Sequence, residues 1–265
     1  MARIFSPVAP RRPGAGPRVR KRPQAAHDMV MRGIGLDIVS GHYPAGSLLP
    51  AKEILSRQFK VSNSTLREAL QKLSSKGMIH PKTRVGTRIL AERHWNMFDA
   101  DILDWRFAAG VDRSFLAHLF TLRQAFEPMA AAIMATRRTE DSLRQLTQLA
   151  AQMTVAGQDR AAIAAADLAF HLLILESTGN PFLQSIGALI RTALLASFAM
   201  STPDETNGHG AQAPHDHGPL VAAIAAGDAQ AAADAMLAVI RAGWINLGGT
   251  ELPDLATLRL GRFLA

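Results

Sequence analysis

The sequence predicts a mainly α-helical protein in two parts. The first part contains three short helices and a two-stranded hairpin, and the second is an all-helical bundle. Three observations predict this fold class. Apolar residues recur with helical spacing in residues 28–75, two short β-type segments flank a basic turn in residues 78–90, and residues 112–247 are rich in Ala and Leu with helical periodicity throughout.

The first 24 residues carry seven basic residues, five prolines and no acidic residue. Such a composition cannot bury enough apolar surface to order itself. We interpret residues 1–24 as a disordered basic arm that adds sequence-independent attraction to phosphate groups. An inert tail and a misassigned start are the alternatives that composition leaves open.

Charge also divides the rest of the chain. Residues 25–93 hold eleven basic and five acidic residues, whereas residues 94–265 hold eleven basic and seventeen acidic residues. A basic front and an acidic back indicate two modules with different partners, the front one binding a polyanion. The plainer alternative is an ordinary solvated surface with a basic tail.

Composition excludes several classes of protein. The chain has no cysteine, so disulfides and cysteine-based zinc sites are excluded. No apolar run reaches the roughly 18 residues of a membrane span, and the N-terminus lacks the apolar core of a secretory signal. We therefore expect a cytoplasmic protein.

Residues 25–90 predict a DNA-binding domain. Helices are expected near residues 28–40, over residues 52–59, and after Ser62, which is a candidate N-cap. Strands are expected at residues 78–80 and 87–90, and the basic loop 81–86 between them is the wing of a winged helix-turn-helix. Gly86 permits the bend of that loop.

The third helix has the chemistry of a helix that reads a DNA major groove. Its apolar stripe leaves short hydrogen-bonding residues and one long cation on the other face, where they can meet bases and phosphates. With the wing, the predicted DNA-binding set is Ser62, Asn63, Ser64, Thr65, Arg67, Lys82, Arg84 and Gly86. For any single Lys or Arg, a solvated surface charge is the commoner case.

Residues 91–111 are predicted to be a docked linker, because they are rich in aromatic and apolar residues. Residues 112–247 form the predicted helical domain, and residues 248–265 a loosely held tail. Six helices are expected in this domain, over residues 113–136, 139–156, 159–178, 181–200, 214–226 and 228–246, with Asp228 as an N-cap.

Two pairs in the helical domain could carry chemistry. Asp167 and His171 are four residues apart, so they share one helix face and can chelate a metal ion, which His217 could help to bind. A hydrogen bond within the pair is the commoner interpretation of this spacing.

Arg123 and Glu127 have the same spacing. They either form a local ion pair or present a guanidinium that grips a ligand carboxylate.

Arg191 and Phe198 are weaker candidates for a ligand pocket, because an aromatic residue on an apolar helix is usually part of the core. No nucleophile elbow, phosphate-binding glycine loop or pair of facing carboxylates is present in the sequence. We therefore expect that the protein is not an enzyme.

These residues together resemble the GntR family of bacterial transcription regulators. The second half is similar to the FCD effector domain of the FadR subfamily, and residues 95–105 resemble the branch of galactonate-operon repressors. The resemblance covers about residues 28–247. Its main matches are Tyr43, Pro44, Gly46, Leu66, Arg67, Glu68, Ala69, Leu70, Lys76, Gly77, Arg123, Glu127, Asp167, His171, Gly179, Asn180, Pro181, His217, Gly227 and Asp228.

The resemblance implies a divalent metal bound by one Asp and three His. Asp167, His171 and His217 match three of these positions, but the fourth is Val239. Reduced affinity, a water or the effector as fourth ligand, and a metal-free site are all compatible with this departure. The ligand types suit Zn, Ni or Mn. The family often has Arg at the position of Asn63, so its operator sequence does not transfer to this chain.

The sequence therefore predicts a metabolite-responsive DNA-binding transcription regulator, a homodimer that binds a two-fold operator as a repressor. A small carboxylate such as a sugar acid is the expected effector. Activation rather than repression stays open. The alternative is a helical protein that binds a metal or metabolite but not DNA, with the basic front as an interaction arm.

Overall fold

The computed structural model describes residues 26–110, 112–154, 159–200 and 216–250. The predicted arm at residues 1–24 and most of the predicted tail lie outside these ranges. Within them the chain is mainly helical with one two-stranded hairpin, which confirms the predicted fold class. The elements are α1 (Ala26–Val39), α2 (Lys52–Phe59), α3 (Asn63–Ser75), β1 (Ile79–Lys82), β2 (Gly86–Ile89), α4 (Ala100–Ala108), α5 (Arg113–Arg137), α6 (Glu140–Met153), α7 (Arg160–Ser177), α8 (Pro181–Ser185), α9 (Gly187–Met200), α10 (Gly218–Ala226) and α11 (Ala229–Asn246).

The N-terminal domain is built around α3, which packs against α1 and α2. Ser62 caps α3 as predicted, because its side chain accepts a hydrogen bond from the backbone N–H of Thr65 at 3.2 Å. The predicted apolar stripe of this helix is buried and joins the core of the domain, through Leu66, Ala69, Leu70 and Leu73. The polar face of α3 therefore stays available to solvent.

The hairpin extends further than the sequence predicted. Its strands pair antiparallel from Ile79 opposite Ile89 to Lys82 opposite Gly86. The turn of the wing is therefore residues 83–85, and the prediction of a loop over residues 81–86 was wrong at both ends. Gly86 has a φ of 114°, in agreement with its expected role in the bend.

Helix α4 lies within the segment predicted to be a linker and belongs to two hydrophobic cores. Ile102 and Trp105 are buried in the core of the N-terminal domain, whereas Leu103 is buried in the core of the helical domain. Asp99 caps α4 by accepting from the N–H groups of the first turn. Lys76, at the end of α3, places its Nζ 2.7 Å from carboxylate oxygens of both Asp99 and Asp101. The sequence had not predicted this helix.

The helical domain is organised around α5, the longest helix of the described chain, which runs antiparallel to α11. Arg113 donates to the carbonyl of Leu247 at 2.5 Å, at the end of α11. Near the other end of α5, Arg138 donates to the carbonyl of Ala225 at 2.7 Å, shortly before α11 begins. Helices α7, α9 and α10 also pack on α5. Residues that point inward from α5 therefore face most of the domain.

Two helix predictions in this domain need correction. The helix predicted over residues 181–200 is two helices that break at Ile186. A side chain at the following residue, Gly187, would lie 3.1 Å from Leu172, so the chain passes close to α7 there. The helix predicted from residue 214 begins at Gly218, after His217. The other four helices begin and end within three residues of the predicted limits, and Asp228 caps α11 as expected.

Across the described ranges, no helix has both the length and the apolar character that crossing a membrane requires.

Candidate functional site

The first candidate site is the exposed polar face of α3. Ser62, Asn63, Ser64 and Arg67 are exposed, and Thr65 is half-buried. The hydroxyl group of Ser62 lies within hydrogen-bonding distance of those of Ser64, at 2.8 Å, and Thr65, at 2.9 Å. The Asn63 side-chain oxygen accepts a hydrogen bond from Ser56 at 2.9 Å, so that oxygen already serves to join α2 and α3. Arg67 is thus the long, exposed cation of this face.

The wing contributes the second group of exposed cations. Lys82 and Arg84 are exposed on the hairpin, and Arg84 has a φ of 64°, a backbone conformation that L residues rarely adopt. Arg88, on the following strand, donates to the carbonyl of Gly46 at 2.6 Å and so holds the hairpin to the loop after α1. The wing therefore presents two cations at its tip on a hairpin that is fixed at its base.

The second candidate site is a buried cluster in the helical domain. Asp167 and His171 lie on α7, and His217 precedes the first residue of α10. Nε2 of His217 lies 3.2 Å from Oδ1 of Asp167, and Nε2 of His171 lies 3.7 Å from the same oxygen. One ligand atom from each of the three residues lies within 4.8 Å of the others. The predicted metal ligands are thus brought together and could hold a metal ion.

The pair Arg123 and Glu127 belongs to the same cluster. Nε of Arg123 donates to Oε1 of Glu127 at 2.6 Å, and Oε2 of Glu127 lies 2.5 Å from Nδ1 of His171. Nη2 of Arg123 lies 3.5 Å from Nε2 of His171. The guanidinium also lies over the Phe120 ring, 5.1 Å from its centroid. The predicted ion pair is present, and it is buried beside the histidines rather than exposed.

Both buried carboxylates of the cluster are held in the ionised form. Burial raises the pKa of Glu127, but the charges of Arg123 and His171 and the hydrogen bonds from them outweigh burial and lower it to about 2. Burial likewise raises the pKa of Asp167, but the hydrogen bond with His217 and the charges of His171, His217 and Arg123 lower it to about 2. Ionised carboxylates are the form that binds cations.

An aromatic side chain closes one side of the cluster. The buried ring of Phe170 lies edge-on to the ring of His217, with centroids 4.8 Å apart, and to that of His171 at 5.8 Å. Val239, the residue at the position where the family resemblance implies a fourth ligand, is buried on α11. Phe198 is half-buried on α9, and Arg191 is exposed there. The exposed Arg191 side chain therefore does not share the buried environment of Arg123.

Sequence reasoning missed two features of this region. It treated Glu127 only as the partner of Arg123, although its second oxygen contacts His171 on another helix. It also passed over Gln124, which is buried on α5. The available signal was a polar residue one turn after Phe120, directly beside the candidate ligand-binding residue Arg123.

Comparison with known proteins shows that the two parts of the chain that carry these sites each match a known family. Residues 27–89 match the model of bacterial regulatory proteins of the gntR family, and residues 118–242 match the FCD domain. The galactonate operon transcriptional repressor of Escherichia coli K12 is 32% identical over 214 residues, which cover 80% of this chain and 93% of the relative. The chain therefore belongs to the GntR family of transcription regulators, with an FCD domain as its second part.

Two further comparisons agree. The HTH-type transcriptional repressor NanR of Klebsiella aerogenes is 27% identical over 251 residues, which cover 89% of this chain and 93% of the relative. A solved structure of Lar, described as controlling the expression of the Listeria monocytogenes agr system, is 20% identical. It covers 86% of this chain and 99% of its own, with a TM-score of 0.56, so it supports the fold. The chain is a DNA-binding transcription regulator and not an enzyme, as predicted.

Proposed function

We propose that the protein is a homodimeric repressor that releases its operator when a small carboxylate, such as a sugar acid, binds beside a divalent metal in the FCD domain. The observation that carries this proposal is the burial of Arg123 against the cluster of Asp167, His171 and His217. A cation and a metal site side by side in a protein interior match the charge of a carboxylate ligand.

The DNA half of the proposal rests on the exposed cations of α3 and the wing. Arg67 is positioned to contact a base or a phosphate when α3 enters a major groove, with Ser62, Asn63, Ser64 and Thr65 at the N-terminal end of that helix. Lys82, Arg84 and Gly86 belong to the wing, which would contact the phosphate backbone. A homodimer that presents two such faces binds a site with two-fold symmetry.

The metal half of the proposal rests on the donor set. One carboxylate oxygen and two imidazole nitrogens are borderline ligands of the kind that bind Zn, Ni or Mn. The carboxylate of Asp167 is ionised, and Glu127 faces Nδ1 of His171, which leaves Nε2 directed at Asp167 and Arg123. A hydrogen bond of this kind fixes the tautomer and orientation of a metal-binding histidine. A bound metal would supply Lewis-acid coordination of the effector carboxylate.

Arg123 would provide the second contact to the effector. Glu127 holds its Nε, so the guanidinium has a fixed orientation and its Nη2 points into the cluster. A planar guanidinium that is held in this way can donate two parallel hydrogen bonds to a carboxylate. Phe198 of α9 is a further candidate for the ligand-binding set, whereas Arg191 on the same helix is exposed and lies outside the buried environment of Arg123.

Helix α4 offers a physical route between the two halves. It is buried in both cores, and Lys76 joins it to the end of the proposed recognition helix. On its other side α4 packs against α9 of the helical domain. A ligand that shifts α9 would therefore move α4 and, with it, the placement of the N-terminal domain. In a dimer this changes the distance between the two recognition helices, which must match the operator half-sites.

The choice of a sugar acid follows from the galactonate operon repressor, which is similar over most of its length. The test is the release of labelled operator DNA during titration with galactonate, gluconate and related acids. We expect Arg123→Lys to keep its DNA affinity but to need at least tenfold more acid for release, because Lys keeps the charge and loses the planar fork. Unchanged release by a folded Arg123→Ala variant would refute the proposed role.

A further inference from the structure

A buried amide on α5 has no hydrogen-bonding partner within the described parts of the chain. Gln124 is 6% exposed, and neither its Oε1 nor its Nε2 forms a hydrogen bond there. Leaving such a group unpaired in a protein interior destabilises the folded state, because the group loses its hydrogen bonds to water and gains none in return. Most residues in this position of a helix core are apolar, so the amide of Gln124 calls for a partner that the described residues do not provide.

The position of Gln124 places it beside the proposed effector site. It follows Arg123 directly, and on a helix successive side chains point about 100° apart. Arg123 and Glu127 point toward His171 of α7. Gln124 is therefore turned about 100° to one side of the charged cluster, toward an adjoining wall of the same interior.

The register of α5 against α11 identifies that wall. The rings of Phe120 and Trp244 have centroids 5.4 Å apart, and Arg113 donates to the carbonyl of Leu247. In an antiparallel pair, residues four positions after Phe120 lie level with residues four positions before Trp244. Gln124 is therefore level with Ile240 and Val239, whose apolar side chains offer no hydrogen bond.

We propose that Gln124 is a specificity-determining residue of the effector site and that its amide binds hydroxyl groups of a polyhydroxylated acid. This inference rests on the proposed function, in which Arg123 and the metal hold the carboxylate. A primary amide has two donors and an acceptor, and a hydroxyl group also donates and accepts, so neighbouring hydroxyls of a sugar acid can satisfy both ends of the amide. An unsubstituted fatty acid would leave the amide unpaired.

This assignment makes opposite predictions for stability and for binding. Gln124→Met keeps the length of the side chain but removes both polar atoms. Without ligand, we expect the variant to melt a few degrees higher than the wild type, because the unpaired amide is gone. With ligand, we expect about tenfold weaker binding of the aldonates, because the hydrogen bonds to hydroxyl groups are lost.

The experiment measures thermal melting and calorimetric binding of gluconate, galactonate, mannonate and xylonate to the full chain loaded with zinc. Gln230→Met is the matched control, since Gln230 is exposed on α11 and bonds to Asp234 at 3.1 Å. Its melting temperature and aldonate affinity should equal those of the wild type. The zinc content should be the same in all three proteins. Equal zinc content would show that weaker aldonate binding comes from loss of the amide and not from damage to the metal site.

Four results would overturn the inference. A lower melting temperature for Gln124→Met would mean that the amide stabilises the fold. A higher melting temperature with unchanged aldonate affinity would mean that an internal water pairs with it. Binding of none of the four aldonates to the wild type would exclude this class of ligand. Loss of aldonate binding in Arg123→Lys, with no loss in Gln124→Met, would leave the proposed function standing and refute only the role of Gln124.

Discussion

Oε2 of Glu127 on α5 lies 2.5 Å from Nδ1 of His171 on α7, while Oε1 of the same carboxylate accepts a hydrogen bond from Arg123. One buried anion therefore orients both the guanidinium proposed to bind the effector and an imidazole proposed to bind the metal. Removing that anion leaves a buried guanidinium without its charge partner, which is among the larger single losses in protein interiors.

We predict that Glu127→Gln lowers the free energy of unfolding by about 3–5 kcal/mol. Urea denaturation followed by circular dichroism measures this change. Asp141→Asn is the control, because it removes an ion pair with Arg144 that lies on the surface, and it should leave the unfolding curve nearly unchanged. Equal stability of wild type and Glu127→Gln would show that the buried charges contribute no net stability.

The acid dependence of stability should report the same carboxylate. The folded protein holds the pKa of Glu127 at about 2, below its ordinary 4.5. A lowered pKa stabilises the folded state above the ordinary value, and the contribution is lost as pH falls toward the folded value. Wild type should therefore lose stability between about pH 4.5 and pH 2 more steeply than Glu127→Gln does. Parallel curves of unfolding free energy against pH would contradict this.

Local signals in the sequence were enough to predict most of the helices. The cap at Ser62, the breaks around Gly179 and Gly227 and the cap at Asp228 all act within a few residues, so helix limits could be placed. Helix α4 was missed because its apolar residues face two cores. Ile102 and Trp105 point one way and Leu103 another, so no single apolar stripe marks the helix.

The part of the candidate site that depends on local spacing was also predictable from the sequence. The spacing of Asp167 and His171 places both on one face of α7, whatever surrounds that helix. The approach of Glu127 to His171 depends on how α5 packs against α7, and no local pattern fixes that distance. The position inferred for Gln124, opposite α11, likewise depends on how α5 packs against α11. Spacing therefore predicted the ligands, and packing determined what orients them.

The contact of α4 with the N-terminal domain can be tested at Gly35. A side chain added there would place its Cβ 2.3 Å from the Trp105 ring, so the indole would have to withdraw. We predict that Gly35→Ala destabilises the protein by about 1–3 kcal/mol and weakens release by effector more than it weakens DNA binding. Urea denaturation and operator titrations with and without effector measure the two effects.

Gly33→Ala provides a matched overpacking control. Its added Cβ would lie 2.7 Å from the Phe59 ring, within the N-terminal domain and away from α4. We expect Gly33→Ala to lower the free energy of unfolding but to leave the release of DNA by effector unchanged. Equal responses in the Gly33 and Gly35 variants would show that α4 does not transmit the signal.

Arg67 should contribute to operator affinity through a base or phosphate contact. We predict that Arg67→Ala weakens operator binding by about 1–3 kcal/mol if the guanidinium contacts a base. If it contacts only phosphate, binding should fall alike for all sequences, and the salt slope should decrease by about 1. Fluorescence anisotropy at several salt concentrations separates the two cases.

Arg144→Ala, in the helical domain, is the control and should bind the operator as tightly as the wild type. If Arg67→Ala also bound as tightly as the wild type, α3 would not be part of the DNA interface.

The metal site should be occupied but easily stripped. Three protein ligands from Asp167, His171 and His217 would leave coordination positions open, and the apolar Val239 stands where the family resemblance implies a fourth ligand. Chelator should therefore remove the metal and impair effector binding more than folding, because the surrounding helices have their own apolar core. Circular dichroism and effector titration before and after chelation measure the two losses.

Supplying the missing ligand should reverse this weakness. We predict that Val239→His retains more metal than the wild type after dialysis against chelator, and that His171→Ala retains none, because each imidazole adds or removes one coordinate bond. Elemental analysis of the dialysed proteins gives the metal content. Ala238→His is the control, since Ala238 is exposed on the same helix and a histidine there should retain no more than the wild type. Absence of metal from all four proteins would mean that Asp167 and His171 form only a polar pair, and that Arg123 holds the effector without metal.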